Sequence, residues 1–187
     1  MRITGGTARG HNLKVPKVSD LRPAQDMVRQ AIFNILDSRQ TISDKRVLDL
    51  YAGTGSFGLE ALSRGAATAT FVDNKRRVCD VIQENLNHSH FLGRGKVVCR
   101  DAERFVKETP PYSYDFIFLS PPYALTPRAV LLQLAEILKD NGVIIYEHDS
   151  RVVLSNETRE LLGESLEVLD TRKYGKTVVS FLQKKTH

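Results

Sequence analysis

The sequence predicts an open, mostly parallel α/β sheet with helices on both faces. Three observations lead to this fold class. Short apolar runs typical of buried strands alternate along the chain with segments of helical periodicity. Residues 53–58 fit the pattern G-x-G-x-x-G and lie between one such strand and the following helix. Polar side chains, mostly aspartates, directly follow several strands, and parallel sheets bind their ligands at these carboxyl ends.

The individual elements follow from periodicity and from turn residues. A helix is predicted over 24–37 from one apolar face, which consists of Met27, Val28, Ala31, Ile32, Ile35 and Leu36. Strands are predicted over 46–50, 69–72, 96–99, 114–119 and 142–147, and helices over 56–64, 76–87 and 130–138. Two β-like runs near the end, 166–172 and 177–183, predict a hairpin, and the glycines and β-branched residues of 2–15 predict another.

Length and composition indicate a single soluble domain. The chain has 187 residues, of which 41% are hydrophobic and 26% charged, and no apolar run approaches the roughly 20 residues that span a bilayer. The first residues lack the apolar core of a signal peptide, so a cytoplasmic protein without a membrane partner is expected. Cys79 and Cys99 have no metal-ligand spacing, and we expect free thiols and no metal site.

Positive charge is concentrated near the N-terminus. The net charge is +5, and residues 1–39 carry seven basic side chains against three acidic ones. A basic arm favours a polyanionic partner, most simply a nucleic acid. A solvated basic surface explains the charge equally well, so composition leaves both interpretations open.

The carboxylates at the strand ends indicate an adenosine-bearing cofactor. Asp73 ends the second predicted strand, 20 residues after Gly53, where a carboxylate can accept hydrogen bonds from ribose hydroxyls. Asp101 follows the third strand. A nicotinamide dinucleotide satisfies these features, as do other adenosine cofactors. Asp49, four residues before Gly53, disfavours a pyrophosphate and suits a cofactor that carries an ammonium and a sulfonium.

The sequence Ser120-Pro121-Pro122-Tyr123 follows the fourth strand. Two consecutive prolines fix the backbone and remove two N–H donors. Carbonyl oxygens, a hydroxyl and an aromatic face remain, and these groups suit an exocyclic amine and a stacked base. A purely rigid loop is the alternative interpretation of this turn.

These motifs together resemble a known family. D-L-Y-A-G-T-G-S-F-G at 49–58, F-V-D at 71–73, D-A at 101–102 and F-L-S-P-P-Y at 118–123 resemble Class I S-adenosylmethionine-dependent methyltransferases that act on a nucleobase amine. The segments 1–13, 22–36, 58–66 and 172–177 resemble the RsmD-type ribosomal RNA methyltransferases. This resemblance implies a Rossmann-like seven-stranded sheet with an antiparallel last strand, and methylation of the exocyclic N2 of a guanine in 16S ribosomal RNA.

The resemblance also implies a set of site residues, a basic RNA-binding arm over 1–20 and a methyltransferase domain over 21–187. The implied catalytic residues are Ser120, Pro121, Pro122 and Tyr123. The implied S-adenosylmethionine-binding residues are Asp49, Tyr51, Ala52, Gly53, Thr54, Gly55, Gly58, Asp73, Asn74, Asp101 and Ala102. The residues expected to bind RNA are Arg2, Arg9, Lys14, Arg22 and Arg29. The implied partner is small-subunit ribosomal RNA or an assembled small ribosomal subunit, bound by a monomer.

Ser120 departs from the family pattern, which usually has Asp or Asn at this position. Serine is familiar in amino methyltransferases that act on cytosine N4. Methylation of another base amine (adenine N6 or cytosine N4) in DNA or RNA therefore remains an alternative, and so does a catalytically weak RNA-binding relative. Glu147 and His148 end the fifth predicted strand near this site, where a structural role is the simpler interpretation.

Overall fold

The computed structural model describes residues 1–17, 26–122, 128–150 and 165–185. Arg22 and Tyr123 lie outside these ranges. The helices are α1 (Asp26–Arg39), α2 (Ser56–Ser63), α3 (Arg76–His88), α4 (Ala102–Lys107) and α5 (Arg128–Ile137). The strands are β1 (Arg46–Leu50), β2 (Thr68–Asp73), β3 (Gly95–Cys99), β4 (Tyr114–Leu119), β5 (Leu138–Asp149), β6 (Leu166–Tyr174) and β7 (Thr177–Lys184).

The structure confirms each predicted element of the α/β domain and corrects some details. Helix α4 was not predicted, since its six residues are too few to show helical periodicity. The N-terminal hairpin is reduced to one antiparallel bridge, between Arg2 and Asn12. Met27 is 72% exposed, so its assignment to the buried face of α1 was wrong. Cys79 and Cys99 are free thiols, as predicted.

The seven strands form one sheet in the order β3-β2-β1-β4-β5-β7-β6. Strands β1 to β5 pair in parallel, and β7 lies antiparallel between β5 and β6. The chain moves outward from β1 to β3 and then returns to place β4 on the other side of β1. The switch point of the topology therefore lies between the carboxyl ends of β1 and β4, which is where open α/β sheets bind ligands.

A hydrophobic core lies on each face of the sheet. Alternation along β1 sends Val47 to the face covered by α1, α2 and α3, and Leu48 to the face covered by α4 and α5. Both side chains are fully buried, as expected for a parallel strand with helices on both faces. Among the described residues, no helix has the length and apolarity needed to cross a membrane.

The N-terminal segment packs on the first of these helical layers. The carboxylate of Glu60, in α2, accepts hydrogen bonds from the backbone N–H of Thr4 at 2.8 Å and from its hydroxyl at 2.7 Å. Ser63, at the end of α2, accepts from the backbone N–H of Ala8 at 2.9 Å. The side chain of Asn85 bonds both backbone groups of Lys14, at 2.8 and 3.0 Å. Much of the predicted arm is therefore part of the folded domain.

Candidate active site

The glycine loop after β1 turns sharply into α2. Gly53 and Gly55 have φ angles of 54° and 73°, in the left-handed region that glycine adopts at low cost. Gly58 has a different role, because a Cβ at this position would lie 2.3 Å from the ring of Phe71 in β2. Gly58 thus lets the start of α2 pack closely on the sheet, and the turn brings the N-terminus of α2 to the carboxyl end of β1.

Asp49 lies beneath this loop and is almost completely buried. Its Oδ2 accepts a hydrogen bond from the backbone N–H of Gly58 at 2.9 Å. Its Oδ1 is buried and has no hydrogen-bond partner among the described residues. Burial raises the pKa of Asp49 to about 8; the Gly58 N–H opposes this shift, while Asp73 and Glu147 add to it. A buried carboxylate with an open oxygen favours a ligand that brings a positive charge or a donor.

Asp73 and Asp101 line the same edge of the sheet. Asp73 accepts from the backbone N–H groups of Gly53, at 3.1 Å, and Lys75, at 3.0 Å, so it supports the glycine loop directly. Asp101 is exposed and caps α4 by accepting from the N–H of Arg104 at 3.0 Å. Both carboxylates retain lone pairs for a ligand, since each oxygen accepts more than one hydrogen bond.

The other predicted cofactor residues differ in accessibility. Tyr51 is half-buried with a left-handed φ of 59°, and burial, with Asp101 and Glu103 nearby, raises its pKa to about 12. Asn74 is exposed beside Asp73. Ala52, Thr54 and Ala102 are buried, so these residues can contact a ligand mainly through their backbone atoms.

Ser120 follows β4 and lies across the switch point from the glycine loop. Its backbone N–H donates to the carbonyl of Leu50 at 3.3 Å, which ties the end of β4 to the end of β1. Its hydroxyl donates to Oε2 of Glu147 at 3.4 Å. Pro121 is buried and Pro122 is exposed. Tyr123 lies outside the described residues, so its role stays a prediction.

Glu147 is a site residue that the sequence interpretation undervalued. It lies two residues before the end of β5, beside Ser120, and it is close enough to Asp49 to raise the pKa of that carboxyl. Burial raises the pKa of Glu147 itself, and the Ser120 hydroxyl opposes this effect. The available signal was an acidic residue at the end of the strand next to β4. By contrast, the imidazole of His148 bonds the Ser180 hydroxyl at 3.0 Å within the core, which is a structural role.

The assignment of Arg29 to RNA binding was wrong. Its side chain is completely buried, and its guanidinium contacts Glu60 Oε2 at 3.3 Å, Asp26 Oδ1 at 2.9 Å and the backbone carbonyl of Arg2. A guanidinium held by these acceptors cannot reach a phosphate. Arg2, Arg9 and Lys14 are exposed, and Lys14 pairs with Glu84 at 2.7 Å.

The strand order, the antiparallel β7 and the glycine loop at the switch point define a Class I methyltransferase fold. The family model "Conserved hypothetical protein 95" matches residues 1–183. The chain belongs to this family, that of the RsmD-type methyltransferases.

Three similar proteins place the chain more closely. It is 34% identical to the Bacillus subtilis protein "Putative rRNA methyltransferase YlbH", over 99% of this chain and 100% of that protein. It is 40% identical to "Ribosomal RNA small subunit methyltransferase D" of Escherichia coli, over 76% of this chain and 68% of that protein. The solved structure "Putative methyltransferase yhhF" from Escherichia coli superposes with a TM-score of 0.81 and 30% identity, covering 100% of this chain and 99% of that one.

Proposed function

We propose that this protein transfers a methyl group from S-adenosylmethionine to the exocyclic N2 amine of a guanine in small-subunit ribosomal RNA. One observation carries the proposal: the Ser120-Pro121 turn and the Asp49-supported glycine loop meet at the switch point, tied by the bond from Ser120 to Leu50. A site for the methyl donor and a site for the amine that accepts the methyl group therefore lie next to each other. The family membership and the names of the relatives support the ribosomal substrate.

The residues present fit S-adenosylmethionine. The bound cofactor would supply an electrophilic methyl on a sulfonium, together with an ammonium group. The open buried oxygen of Asp49 suits a cationic group, and Glu147 and Asp73 add negative charge beside it. Asp73 would accept hydrogen bonds from the ribose, and Asp101, beside Tyr51, from the adenine amine. This acidic cluster disfavours a pyrophosphate, and a nicotinamide dinucleotide with it.

On the acceptor side, Ser120 and Pro121 would hold the target amine. The Ser120 hydroxyl gives its hydrogen to Glu147, so its remaining lone pairs are free to accept from an N–H. The Pro121 carbonyl is a second acceptor at the same turn. Two acceptors on the amine hydrogens orient the nitrogen lone pair toward the methyl, which is catalysis by positioning. The base must leave its stack to enter the pocket, and Tyr123 would supply the face that stacks on it.

Radiolabelled methyl transfer tests this function. Purified protein is incubated with labelled S-adenosylmethionine and small ribosomal subunits, protein-free small-subunit RNA or double-stranded DNA, and the product is digested to nucleosides. We expect N2-methylguanosine from the ribosomal substrates and no label in DNA. Label on adenine N6 or cytosine N4 would instead support the second candidate, which the serine at position 120 leaves open. Cofactor binding without any transfer would contradict an enzymatic role. Cytoplasmic location and a monomeric state remain predictions.

Asp73→Ala should weaken S-adenosylmethionine binding by about tenfold to a hundredfold. The substitution removes the expected ribose acceptor and the support for the Gly53 N–H, and a hydrogen bond to a charged group contributes about 1.5–3 kcal/mol. Calorimetric titration measures the affinity. Asp80→Ala is the matched control, because Asp80 is an aspartate on the exposed surface of α3 that pairs with Arg76. Equal affinity in the two variants would refute the ribose assignment.

Tyr123→Ala should reduce kcat by about fivefold to 150-fold while the cofactor affinity stays within about twofold of wild type. Loss of one base-stacking contact is worth about 1–3 kcal/mol, and that contact forms only with the extruded base. Tyr123→Phe keeps the aromatic face and should retain most of the activity. Full activity in Tyr123→Ala would remove the stacking role, and an inactive Tyr123→Phe would point to the hydroxyl instead.

A further inference from the structure

The tip of the β6–β7 hairpin lies at the same edge of the sheet as the active site. β5 ends at this edge with Asp149, and Asp149 pairs with Thr177, the first residue of the antiparallel β7. Tyr174, the last residue of β6, pairs with Thr177 from the other side. The turn at 175–176 therefore projects beside the carboxyl ends of β4 and β5. The composition and the strand-end motifs do not indicate a function for this hairpin.

The tip has a defined conformation. Gly175 has a φ of 62° and is the first of two loop residues, an arrangement typical of a tight hairpin turn. Tyr174 packs partly against the hydrophobic core. The backbone N–H of Ser150 donates to the carbonyl of Lys176 at 2.9 Å, which joins the turn to the end of β5. Side chains on this turn are thus presented from a fixed backbone.

Two lysines on this tip carry unneutralised charge. Lys173 and Lys176 are exposed, and neither forms an ion pair within the described residues. Arg172 differs, because its guanidinium binds Asp170 at 3.0 Å. Many basic residues elsewhere on the surface are also paired. Examples of such pairs are Lys14 with Glu84, Arg104 with Glu108 and Lys107 with Glu103.

The active site beside this tip is acidic. Asp49, Asp73, Asp101 and Glu147 all lie at the carboxyl edge, and those that are ionised repel the phosphates of an RNA substrate. The N-terminal arm brings one positive charge near this edge, because Lys14 bonds Asn85 of α3, and Asn85 also bonds the Thr54 carbonyl in the glycine loop. This contact lies on the β1–β3 side of the site, which α3 covers. The hairpin tip carries positive charge on the opposite, β5–β7 side.

We infer that Lys173 and Lys176 bind phosphates of the substrate RNA a few nucleotides from the target nucleotide. This inference rests on the proposed function. β7 and β6 lie two and three strands from β4, a separation of about 10–14 Å at about 4.8 Å per strand. That separation corresponds to about three or four nucleotides of stacked RNA. An RNA strand with its target base at Ser120 would therefore bring neighbouring phosphates over the hairpin tip.

The double variant Lys173→Ala/Lys176→Ala tests the inference. Affinity for protein-free small-subunit ribosomal RNA is measured between 0.1 and 1 M salt, together with methyl transfer and calorimetric affinity for S-adenosylmethionine. Each phosphate contact contributes about 0.7 to the slope of log affinity against log salt for single strands. The slope should thus fall by about 1.4, and binding at 0.1 M salt should weaken by about 25-fold. Cofactor affinity should stay within twofold.

Lys96→Ala/Lys185→Ala is the matched control. Both lysines are exposed and lie toward the opposite edge of the sheet, Lys96 near the start of β3 and Lys185 just after β7. This variant has the same net charge but should keep the wild-type salt slope. Lys173→Arg/Lys176→Arg should also bind RNA as wild type does. If both alanine variants lose affinity equally, or if neither does, the hairpin is not a phosphate site. A wild-type protein that neither methylates nor binds ribosomal RNA would refute the proposed function instead.

Discussion

Glu60→Gln should lower the free energy of unfolding by about 3–5 kcal/mol, the usual cost of removing one partner from a buried ion pair. The Arg29 guanidinium and the Glu60 carboxylate are both fully buried and lie 3.3 Å apart. The neutral amide would remove the fully buried counter-charge of Arg29 and leave the more exposed carboxylate of Asp26 beside it. Glu60 also accepts from Thr4 and from Arg64 Nε, at 3.0 Å, so the N-terminal segment would loosen with it. Urea denaturation at neutral pH measures the change.

Glu84→Gln is the matched control for this substitution. Glu84 pairs with Lys14 at 2.7 Å, but both side chains are more than half exposed, and such a pair contributes at most about 1 kcal/mol. The double variant Arg29→Met/Glu60→Gln should lose less stability than the sum of the two single variants, because it removes both buried charges. Similar urea midpoints for Glu60→Gln and Glu84→Gln would show that the buried network contributes little.

Asp49→Asn should lower the affinity for the cofactor but, as the pH rises, make the cofactor-free protein more stable than wild type. Asparagine is nearly isosteric but cannot carry the negative charge that a cationic cofactor requires. We expect affinity for S-adenosylmethionine to fall by at least about a hundredfold, since a close charge pair in a buried site contributes several kcal/mol. Calorimetric titration at pH 8 measures this loss. Asp80→Asn, on the exposed surface of α3, should bind the cofactor as wild type does.

The stability effect depends on pH. Burial raises the pKa of Asp49 from 3.8 to about 8, so the folded state keeps a proton that the unfolded chain releases. This contribution to stability is fully present below pH 3.8 and is lost as the pH rises through about 8. The Asp49→Asn variant does not titrate at this position. Relative to it, the free energy of unfolding of wild type should fall by up to about 1.4 kcal/mol per pH unit between pH 3.8 and about 8. Thermal unfolding of both proteins at pH 5 and pH 9 measures the difference.

The same protonation makes cofactor binding pH-dependent. If the ionised carboxylate binds the cationic cofactor, wild-type affinity should increase with pH up to about 8 and then level off. Asp49→Asn should show no such rise. A wild-type affinity that is constant between pH 6 and 9 would exclude Asp49 as the group that meets the positive charge.

Hydrophobic periodicity predicted most of the fold. The bounds of β1 and β4 agree with the structure. The apolar run of β4 ends at Ser120-Pro121, and that of β1 comes just before the glycine loop. Helix α4 could not be found in this way, because it is short and depends on the Asp101 cap and on contacts with α5. The predictions for Met27, which is exposed, and for Arg29, which is buried, failed for a related reason. Helical spacing places apolar residues on one face, but it does not show that a buried glutamate draws an arginine inward.

The candidate site was predictable where it depends on position along the chain. Asp49, Asp73 and Ser120 each follow or end a strand, and parallel strands bring their carboxyl ends to one edge whatever the loops between them contain. Contacts between distant segments were not predictable in this way. Ser120 meets Glu147 because β4 and β5 are neighbours in register, and the lysines of the β6–β7 hairpin reach this edge because β7 runs antiparallel. Local residue patterns encode strands, turns and motif chemistry, whereas the partner of each buried charge depends on packing between elements.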